Sequence, residues 1–253
     1  MTDAELERLT SLSHPDPHAF LGPHVVGAQT AVRLVRPGAR DVQLIPEGGA
    51  PIEMPHRRDG VFEATVPSGA LARGYTLSFT DRHGQAHRAA DPYAFGPTLG
   101  EIDLHLLGEG THERLWEKLG VHPMEHEGVR GIAFALWAPR AASVSVVGDF
   151  NDWDGRVHPM RRLGGSGIWE LFIPGLEPGA HYQFGGPPMM KADPLAFRTE
   201  VPPGRASRIE GPSQHVWKDA AWLEQRARDA GLRDRPMSIY ELHGGSFRRV
   251  LED

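Results

Sequence analysis

Cysteine is absent from the 253-residue sequence, and this absence excludes two kinds of site. Without thiols the chain forms neither disulfide bonds nor thiolate metal centres. A composition free of cysteine is typical of a reducing compartment, where disulfides rarely form. We therefore predict that the protein is cytoplasmic.

Long apolar runs and an excess of positive charge are missing as well. No stretch approaches the roughly 20 apolar residues that cross a bilayer, and residues 1–5 lack the basic start and apolar centre of a signal peptide. The formal net charge is −6, whereas proteins that bind a phosphate backbone usually present a basic surface. We expect neither a membrane nor a nucleic acid as partner, and a neutral polar ligand fits the composition better.

Histidine is plentiful, but its spacing does not predict a metal site. Three pairs lie four residues apart, and prolines or glycines interrupt each of them, so helical alignment of two imidazoles is not expected. These pairs are His14 with His18, His83 with His87, and His122 with His126. Phosphate-binding loops of the strand, glycine-rich turn and helix type are also missing. We therefore predict no metal and no cofactor.

The sequence does contain an internal repeat. Residues 90–95 (Ala-Asp-Pro-Tyr-Ala-Phe) recur as residues 192–197 (Ala-Asp-Pro-Leu-Ala-Phe), and Leu34 aligns with Leu136 at the same offset of 102. Between these anchors the offset is 107, as at Tyr75 and Tyr182, and it returns to 102 at the second anchor. Insertions in one copy are therefore balanced by insertions in the other. A repeat of this length indicates a duplicated domain rather than a short solenoid unit.

Both copies show the two-residue alternation of half-buried strands, as at Val42 and Leu44 or at Trp169 and Leu171. Glycine-containing turns such as Pro37-Gly38 separate the short strands. The pattern predicts a mainly β protein with two tandem immunoglobulin-like β-sandwiches.

Helices are predicted in three places: near the N-terminus from Thr2 or Asp3, over residues 113–119 after a cap at Thr111, and over residues 218–230. Residues 237–243 follow as a predicted strand. The predicted domains are residues 1–107 (first helix and first sandwich), 108–128 (linker with a short helix), 129–212 (second sandwich) and 213–253 (helix and final strand). Because that strand has no partner of its own, we expect the chain to be the front part of a longer protein.

Four stretches of the chain carry a resemblance to a known family. They are residues 14–22 (His-Pro-Asp-Pro-His-Ala-Phe-Leu-Gly), residues 137–139 followed by 148–153 (Gly-Asp-Phe-Asn-Asp-Trp), residues 191–194 (Lys-Ala-Asp-Pro) and residues 238–249. Together they resemble the N-terminal half of bacterial 1,4-α-glucan (glycogen) branching enzymes, of the α-amylase-like group. The second module resembles family 48 carbohydrate-binding modules.

The resemblance implies a reaction for the parent enzyme and a supporting role for this chain. A retaining enzyme of this kind cleaves an α-1,4 linkage with two carboxyl groups roughly 5–5.5 Å apart, and the 6-hydroxyl of another glucan chain then takes the glycosyl group. In the family, residues 238–243 match the first strand of a (β/α)₈ catalytic barrel, and the catalytic carboxylates belong to later strands. We therefore expect no catalytic residue here. The implied partners are an α-glucan (glycogen or amylose) and the barrel of the same polypeptide, with a role in substrate positioning and chain-length selection.

Carbohydrate binding requires an exposed aromatic ring beside polar groups. Trp153, with Asn151 next to it, is the candidate from the sequence, and the alternative is that Trp153 only covers the edge of the sandwich. The resemblance adds Gln183 and Lys191, although the family's second tryptophan is replaced here by Met190. Trp169 and Tyr182 are predicted core residues by alternation, and the pattern leaves the role of Trp137 open.

Two other functions stay open. The chain could be a free-standing α-glucan-binding module, or the N-terminal part of a debranching or trehalose-releasing enzyme. The first copy has Pro51 where the second has Trp153, so we expect the first copy to serve mainly as a scaffold or docking surface.

Overall fold

The computed structural model describes residues 3–186, 189–228 and 236–247. Strands dominate and helices are few, which confirms the mainly β prediction. The described residues up to Pro212 form one compact unit, and those from Ser213 onward form a second. No helix in this part of the chain is long and apolar enough to cross a membrane.

The first module consists of two antiparallel sheets that share one core. Its strands are β1 (Gly22–Val26), β2 (Gln29–Val35), β3 (Arg40–Pro46), β4 (Ile52–Glu53), β5 (Val61–Pro67), β6 (Tyr75–Thr80) and β7 (Ala86–Ala89). The strand orders are β1-β2-β5 and β4-β3-β6-β7. Leu34 and Phe62 from the first sheet pack in the same cluster as Leu44 and Leu77 from the second. The first module is therefore a two-layer β structure.

The second module repeats this plan. Its strands are β8 (Gly120–His126), β9 (Val129–Trp137), β10 (Ser145–Gly148), β11 (Arg161–Arg162), β12 (Ile168–Pro174), β13 (His181–Gly186), β14 (Met189–Lys191) and β15 (Ser207–Arg208). One sheet has the order β11-β12-β9-β8, and the other has β10-β13-β14 with β15 also on β13. Phe134 and Trp169 from one sheet share a core with Val146 and Tyr182 from the other. Both Trp169 and Tyr182 are buried, as alternation predicted.

The first predicted helix is confirmed, and the second is wrong. Helix α1 spans Asp3–Thr10 and buries Leu6 and Leu9, while Thr2 lies outside the described residues. Helix α2 spans Glu101–Glu109, whereas the predicted helix over residues 113–119 is only a 3₁₀ turn at Leu115–Glu117. Gly110 ends α2 in the left-handed conformation, and its N–H contacts the Leu106 carbonyl.

The predicted linker over residues 108–128 also contains a strand. Strand β8 lies inside it and pairs along its whole length with β9. Alternation is weak over Gly120–His126, since the adjacent residues Gly120 and Val121 are both buried and the rest of the strand is only partly buried or exposed. The second module therefore begins before residue 129.

The second unit contains α3 (Ala220–Arg228), which lies within the predicted helix of residues 218–230. Residues 229 and 230 lie outside the described part of the chain. The strand predicted over residues 237–243 is not formed, because that segment is irregular and pairs with no strand among the described residues. A strand requires a hydrogen-bonded neighbour, which the sequence pattern cannot supply.

The two modules are joined, because they share part of one apolar core. Val35, Val61 and Tyr93 of the first module belong to the core cluster of the second. The buried Tyr93 hydroxyl also donates to the Pro159 carbonyl at 3.1 Å. The modules therefore hold a fixed geometry across a shared apolar interface.

The repeated Asp-Pro segment has the same structural role in both copies. The Tyr75 hydroxyl donates to Asp91 Oδ2 at 2.7 Å, and the Tyr182 hydroxyl donates to Asp193 Oδ2 at 2.8 Å. Each aspartate is buried and also accepts from the backbone N–H two residues later. Burial raises the pKa of Asp91 to about 6 and raises that of Asp193 as well. The repeat therefore preserves a buried tyrosine–aspartate bond that ties the Asp-Pro turn to a strand.

We predict that Tyr182→Phe lowers the free energy of unfolding by about 1–3 kcal/mol, because Asp193 loses a donor in a buried site. Urea denaturation followed by fluorescence measures the change. Tyr75→Phe should give a similar loss at the corresponding place in the first module. A loss for only one of the two variants would show that the bonds are not equivalent.

Candidate functional site

Trp153, the main candidate from the sequence, lies in the loop after β10. Its side chain is half-buried, and its backbone N–H donates to the Gly148 carbonyl at 3.1 Å. It borders a pocket of about 500 Å³ that also contacts Leu12 at the end of α1 and Arg82 of the first module. Trp153 is thus partly accessible and stands near the joint between the modules.

The structure corrects the predicted role of Asn151 as a sugar contact. Its side chain is buried: Oδ1 accepts from the Gly148 N–H at 2.9 Å, and Nδ2 contacts the Val146 carbonyl and His158 Nδ1 at 2.9 Å. Every polar atom of this amide is therefore used to close the loop, and none faces a ligand. Asn151 holds the loop that carries Trp153.

Gln183 and Lys191 lie on neighbouring strands but on different faces of their sheet. Lys191 is directly opposite Phe184 in the β13–β14 register, so its side chain stands on the face of Phe184, and Gln183 stands on the other by alternation. Gln183 Nε2 donates to the Arg205 carbonyl at 3.0 Å. The four predicted residues therefore do not form one site.

Lys191 lines a groove together with Trp137, the residue whose role the pattern left open. This Trp137 groove has a volume of about 840 Å³ and runs between the end of β9, the loop after it and the β13–β14 hairpin. Trp137 is 61% exposed, and Met189 and Lys191 stand on the opposite wall, both exposed. Arg140 is the second charged side chain on its rim.

The groove has the composition that sugar binding requires. The apolar face of a pyranose ring packs on an exposed indole, while Lys191 and Arg140 can donate hydrogen bonds to its hydroxyls. Its volume lies within the roughly 300–1,000 Å³ range of small-molecule sites. Met189 supplies a flexible apolar contact, whereas Met190, which stands where the family resemblance predicts a tryptophan, does not line the groove.

The corresponding place in the first module is bordered by the second module. There a smaller pocket is lined by Leu34, Leu77, Ala90 and Pro92, which align with Leu136, Phe184, Ala192 and Pro194 of the Trp137 groove. Residues of the second module line the rest of that pocket, namely Phe150, Val157, His158, Ile173 and Leu176. In the first module this place therefore contacts the second module, whereas in the second module it is the Trp137 groove.

Within the described residues, no group of three histidine, aspartate or glutamate side chains is arranged to hold a metal ion. A signal for Trp137 was available in the sequence, since a tryptophan on the outward side of a strand has no core to fill. Only the structure shows that the β13–β14 hairpin forms a second wall beside it.

Comparison with known proteins identifies both modules. Residues 2–93 match the family described as alpha-1,4-glucan branching enzyme GlgB, N-terminal domain. Residues 118–196 match carbohydrate-binding module 48 (isoamylase N-terminal domain). The chain belongs to the 1,4-α-glucan branching enzyme family, in the N-terminal region.

Relatives within the branching enzyme family match this chain over nearly its whole length. The branching enzyme GlgB of Myxococcus xanthus is 51% identical over 257 residues, which cover 99% of this chain and 35% of that protein. GlgB 1 of Streptomyces coelicolor is 47% identical over 250 residues, which cover 97% of this chain and 32% of that protein. The chain thus spans about a third of the length of these branching enzymes.

Among solved structures, a type I pullulanase from Bacillus subtilis in complex with maltose is similar at a TM-score of 0.34 and 17% identity, over 78% of this chain and 27% of that chain. The family assignment depends on the sequence matches alone.

Proposed function

We propose that this chain is the glucan-positioning region of a 1,4-α-glucan branching enzyme. The observation that carries the proposal is the Trp137 groove, an open aromatic groove on a carbohydrate-binding-module fold. Relatives that are named as branching enzymes match almost the entire chain, which favours branching over debranching. The ligand is an α-glucan such as glycogen or amylose.

For the complete enzyme we propose the retaining double displacement described above, with transfer to a 6-hydroxyl. The chain supplies no catalytic carboxylate in this proposal, and its part is to hold one glucan chain so that a limited length reaches the reactive centre. We also propose that both sandwiches are immunoglobulin-like and that residues 238–243 start a (β/α)₈ barrel of the same polypeptide. The cytoplasmic location stays a prediction.

Glucan positioning depends on two residues in this proposal. Trp137 stacks on a pyranose ring, and Lys191, from the opposite wall, donates to hydroxyl oxygens. Gln183 stands on the other face of the sheet and has its amide engaged with Arg205, so it is a lesser candidate. Trp153 belongs to a different place on the surface.

We predict that Trp137→Ala weakens binding to glycogen about ten-fold or more, because the stacking surface is lost. Affinity electrophoresis of the 253-residue chain in native gels with increasing glycogen measures this change. Trp116→Ala is the matched control, since Trp116 is 47% exposed in the Leu115–Glu117 turn and does not line the groove.

Equal retardation of the wild type and Trp137→Ala would contradict the proposal. Lys191→Ala should give a smaller loss in the same gels, since it removes hydrogen bonds but leaves the indole. If amylose retards the chain but maltose does not compete, the groove recognises several linked glucose units.

A further inference from the structure

One strand of the second module has no counterpart among the described residues of the first. Strand β15 pairs antiparallel with the start of β13, with Ser207 opposite Tyr182 and Arg208 opposite His181. The chain reaches this place because it turns back after the Asp-Pro segment of the second module. After the Asp-Pro segment of the first module it continues into α2 instead. The start of β6, which corresponds to the start of β13, therefore lacks this neighbour.

A groove lies at the place in the first module that β15 fills in the second. This groove, the strand gap, is bordered by residues 74–76, which correspond to residues 181–183, and by Asp91. It has a volume of about 890 Å³. Tyr75 is half-buried here, whereas Tyr182 beside β15 is 1% exposed. Apolar side chains line the walls, including those of Ile45, Leu71 and Phe95.

The backbone of β6 is unpaired towards the strand gap. The Glu47 N–H donates to the Gly74 carbonyl at 3.0 Å, and the pairing of β6 with β3 continues from there through Thr76. In an antiparallel ladder, the residues between the hydrogen-bonded ones direct their N–H and C=O to the other side. On that side β7 pairs with β6 from Leu77 onward, so Tyr75 presents its N–H and C=O to the strand gap. An open strand edge of this kind is a template for an added strand.

Two arginines distinguish the strand gap from its counterpart in the second module. Arg73 and Arg88 line the gap, are exposed, and form no ion pair with a carboxylate of the described residues. Their counterparts are Ala180, at the offset of 107, and Met190, at the offset of 102. The exposed carboxylate of Glu47 also lines the gap, which leaves an excess of positive charge. The occupant of the gap therefore requires acidic side chains.

Strand β15 shows where one of these acidic side chains stands. Gln183 Nε2 donates to the Arg205 carbonyl at 3.0 Å, so residue 205 lies beside Gln183. The counterpart of Gln183 is Thr76, whose hydroxyl accepts from Arg88 Nε at 2.9 Å. A residue that occupies the place of Arg205 in the strand gap is therefore next to Arg88.

The second acidic position follows from the register. Arg208 is opposite His181, and the counterpart of His181 is Gly74, which adjoins Arg73 in the chain. A residue that occupies the place of Arg208 is therefore close to Arg73. Acidic residues at both places give an extended segment that matches the charge of the gap.

The inward side of β15 indicates which other residues the occupant has. Ser207 is 0% exposed, and its Oγ accepts from the Asp193 N–H at 2.9 Å. Its neighbours Ala206 and Ile209 are 4% and 1% exposed. Asp91 has the place of Asp193 in the first module, so a small residue fits above it and apolar residues fit on either side.

We propose that the strand gap binds an extended acidic segment of a separate protein, which adds a strand to β6. Its backbone pairs with Tyr75, its acidic side chains contact Arg73 and Arg88, and its small and apolar side chains fill the groove. The first module is thus a protein-docking surface. This interaction does not depend on the Trp137 groove or on glucan binding.

Fluorescence anisotropy of three labelled peptides, titrated with the 253-residue chain, tests the proposal. The parent peptide has the sequence of residues 204–211 (Gly-Arg-Ala-Ser-Arg-Ile-Glu-Gly). The acidic peptide is the same with Arg205→Glu and Arg208→Glu. The third is the acidic peptide with Ser207→Pro, which removes a backbone N–H that an added strand requires.

We expect the acidic peptide to bind about ten-fold more tightly than the parent, because two contacts between opposite charges replace two between like charges. The proline peptide should bind at least about ten-fold more weakly than the acidic one. In the chain, Arg88→Glu should weaken binding of the acidic peptide about five-fold. Arg40→Glu is the matched control, since Arg40 is exposed on β3 and does not line the gap. If Arg88→Glu lowers the urea midpoint, Arg73→Glu takes its place.

Equal affinities for the three peptides overturn the proposal, as do equal effects of Arg88→Glu and Arg40→Glu. Displacement of the acidic peptide by maltotriose also overturns it, because the gap would then be a glucan site. Sedimentation velocity of the chain alone tests the remaining occupant. Self-association that Arg88→Glu abolishes and Arg40→Glu preserves would make a second copy of this chain the occupant, and the proposal would be wrong.

Discussion

Replacing Glu170 by alanine should lower the free energy of unfolding by about 3–5 kcal/mol, a large share of the stability of a domain of this size. The Glu170 side chain is fully buried on β12. It accepts from Arg161 Nε at 2.8 Å and from the backbone N–H and hydroxyl of Thr98 at 3.2 and 2.9 Å. Arg161 in turn donates to the Phe95 carbonyl at 3.2 Å. These hydrogen bonds thus hold the segment between the modules, which contains Phe95 and Thr98, against the sheet of the second module.

The loss of stability in Glu170→Ala arises mainly from Arg161, the partner that remains. Arg161 is only 11% exposed, and its Nη2 already lacks a partner within the described residues, so removal of the carboxylate leaves a buried, unpaired charge. Removing both charges, in Arg161→Met with Glu170→Met, should therefore destabilise less than the sum of the single changes. Urea denaturation of the three variants measures this coupling.

Glu125→Ala is the control for Glu170→Ala. Glu125 and Arg130 form a pair at 4.0 Å on adjacent strands, with exposed fractions of 62% and 93%. Exposed pairs contribute about 0–1 kcal/mol, so this variant should lie close to the wild type. An equal effect of Glu125→Ala and Glu170→Ala would disprove the role of burial.

The second large effect is a loss of stability on acidification, because two histidines are buried in their neutral form. Burial and the charge of Arg36 hold the pKa of His158 well below its usual value, and burial and the charge of Arg161 lower the pKa of His18 to about 3. In the unfolded chain both histidines take up protons near pH 6.5. Their neutral burial therefore contributes stability above pH 6.5 that is lost as the pH falls toward the folded pKa, by about 1.4 kcal/mol per pH unit for each histidine.

Asp91 acts in the opposite direction. Its pKa is raised to about 6 by burial, so its contribution is present at low pH and is lost as the pH rises through that value. The pH profile of the wild type therefore sums opposing terms. The difference in the free energy of unfolding between the wild type and a histidine variant therefore isolates the contribution of that histidine.

We predict that His158→Gln is destabilising at pH 7.5 and that this deficit shrinks by about 1.4 kcal/mol for each pH unit below 6.5. Urea denaturation at pH 7.5, 6 and 5 gives the two curves. His105→Gln, at an exposed position of α2, is the control for a histidine that is not buried. Parallel curves for His158→Gln and the wild type would show that His158 takes up a proton in the folded state.

Local patterns were enough to predict the duplication and strands such as β5 and β12, because both are visible in short stretches of residues. They missed β8, and they predicted a strand over residues 237–243 that is not formed. Alternation placed Trp169 and Tyr182 in the core, and the shared offsets of Asp91 and Asp193 now have a physical reason in the tyrosine bonds. The helix predicted over residues 113–119 is wrong, because the chain forms α2 earlier, over Glu101–Glu109, and only a 3₁₀ turn follows at Leu115–Glu117.

The candidate site stays a prediction, and the structure only places its residues. Trp153 is half-buried and Lys191 is exposed, and they line different grooves. Asn151 looks like a polar ligand contact in the sequence, and only its three hydrogen bonds show that it closes a loop. Which side chains share a groove depends on strand register and on the position of the hairpin, both of which join residues distant in the chain.

The sequence by itself determined the family, the duplicated Asp-Pro segment and the mainly β character, since these depend on residue identity and short-range periodicity. Only the tertiary structure decided that the two modules share one core, that the second module borders the corresponding pocket of the first, and that Trp137 stands open beside Lys191. The reason is that a groove is formed by surfaces from separate strands, and their packing against each other determines which aromatic rings remain accessible to a sugar.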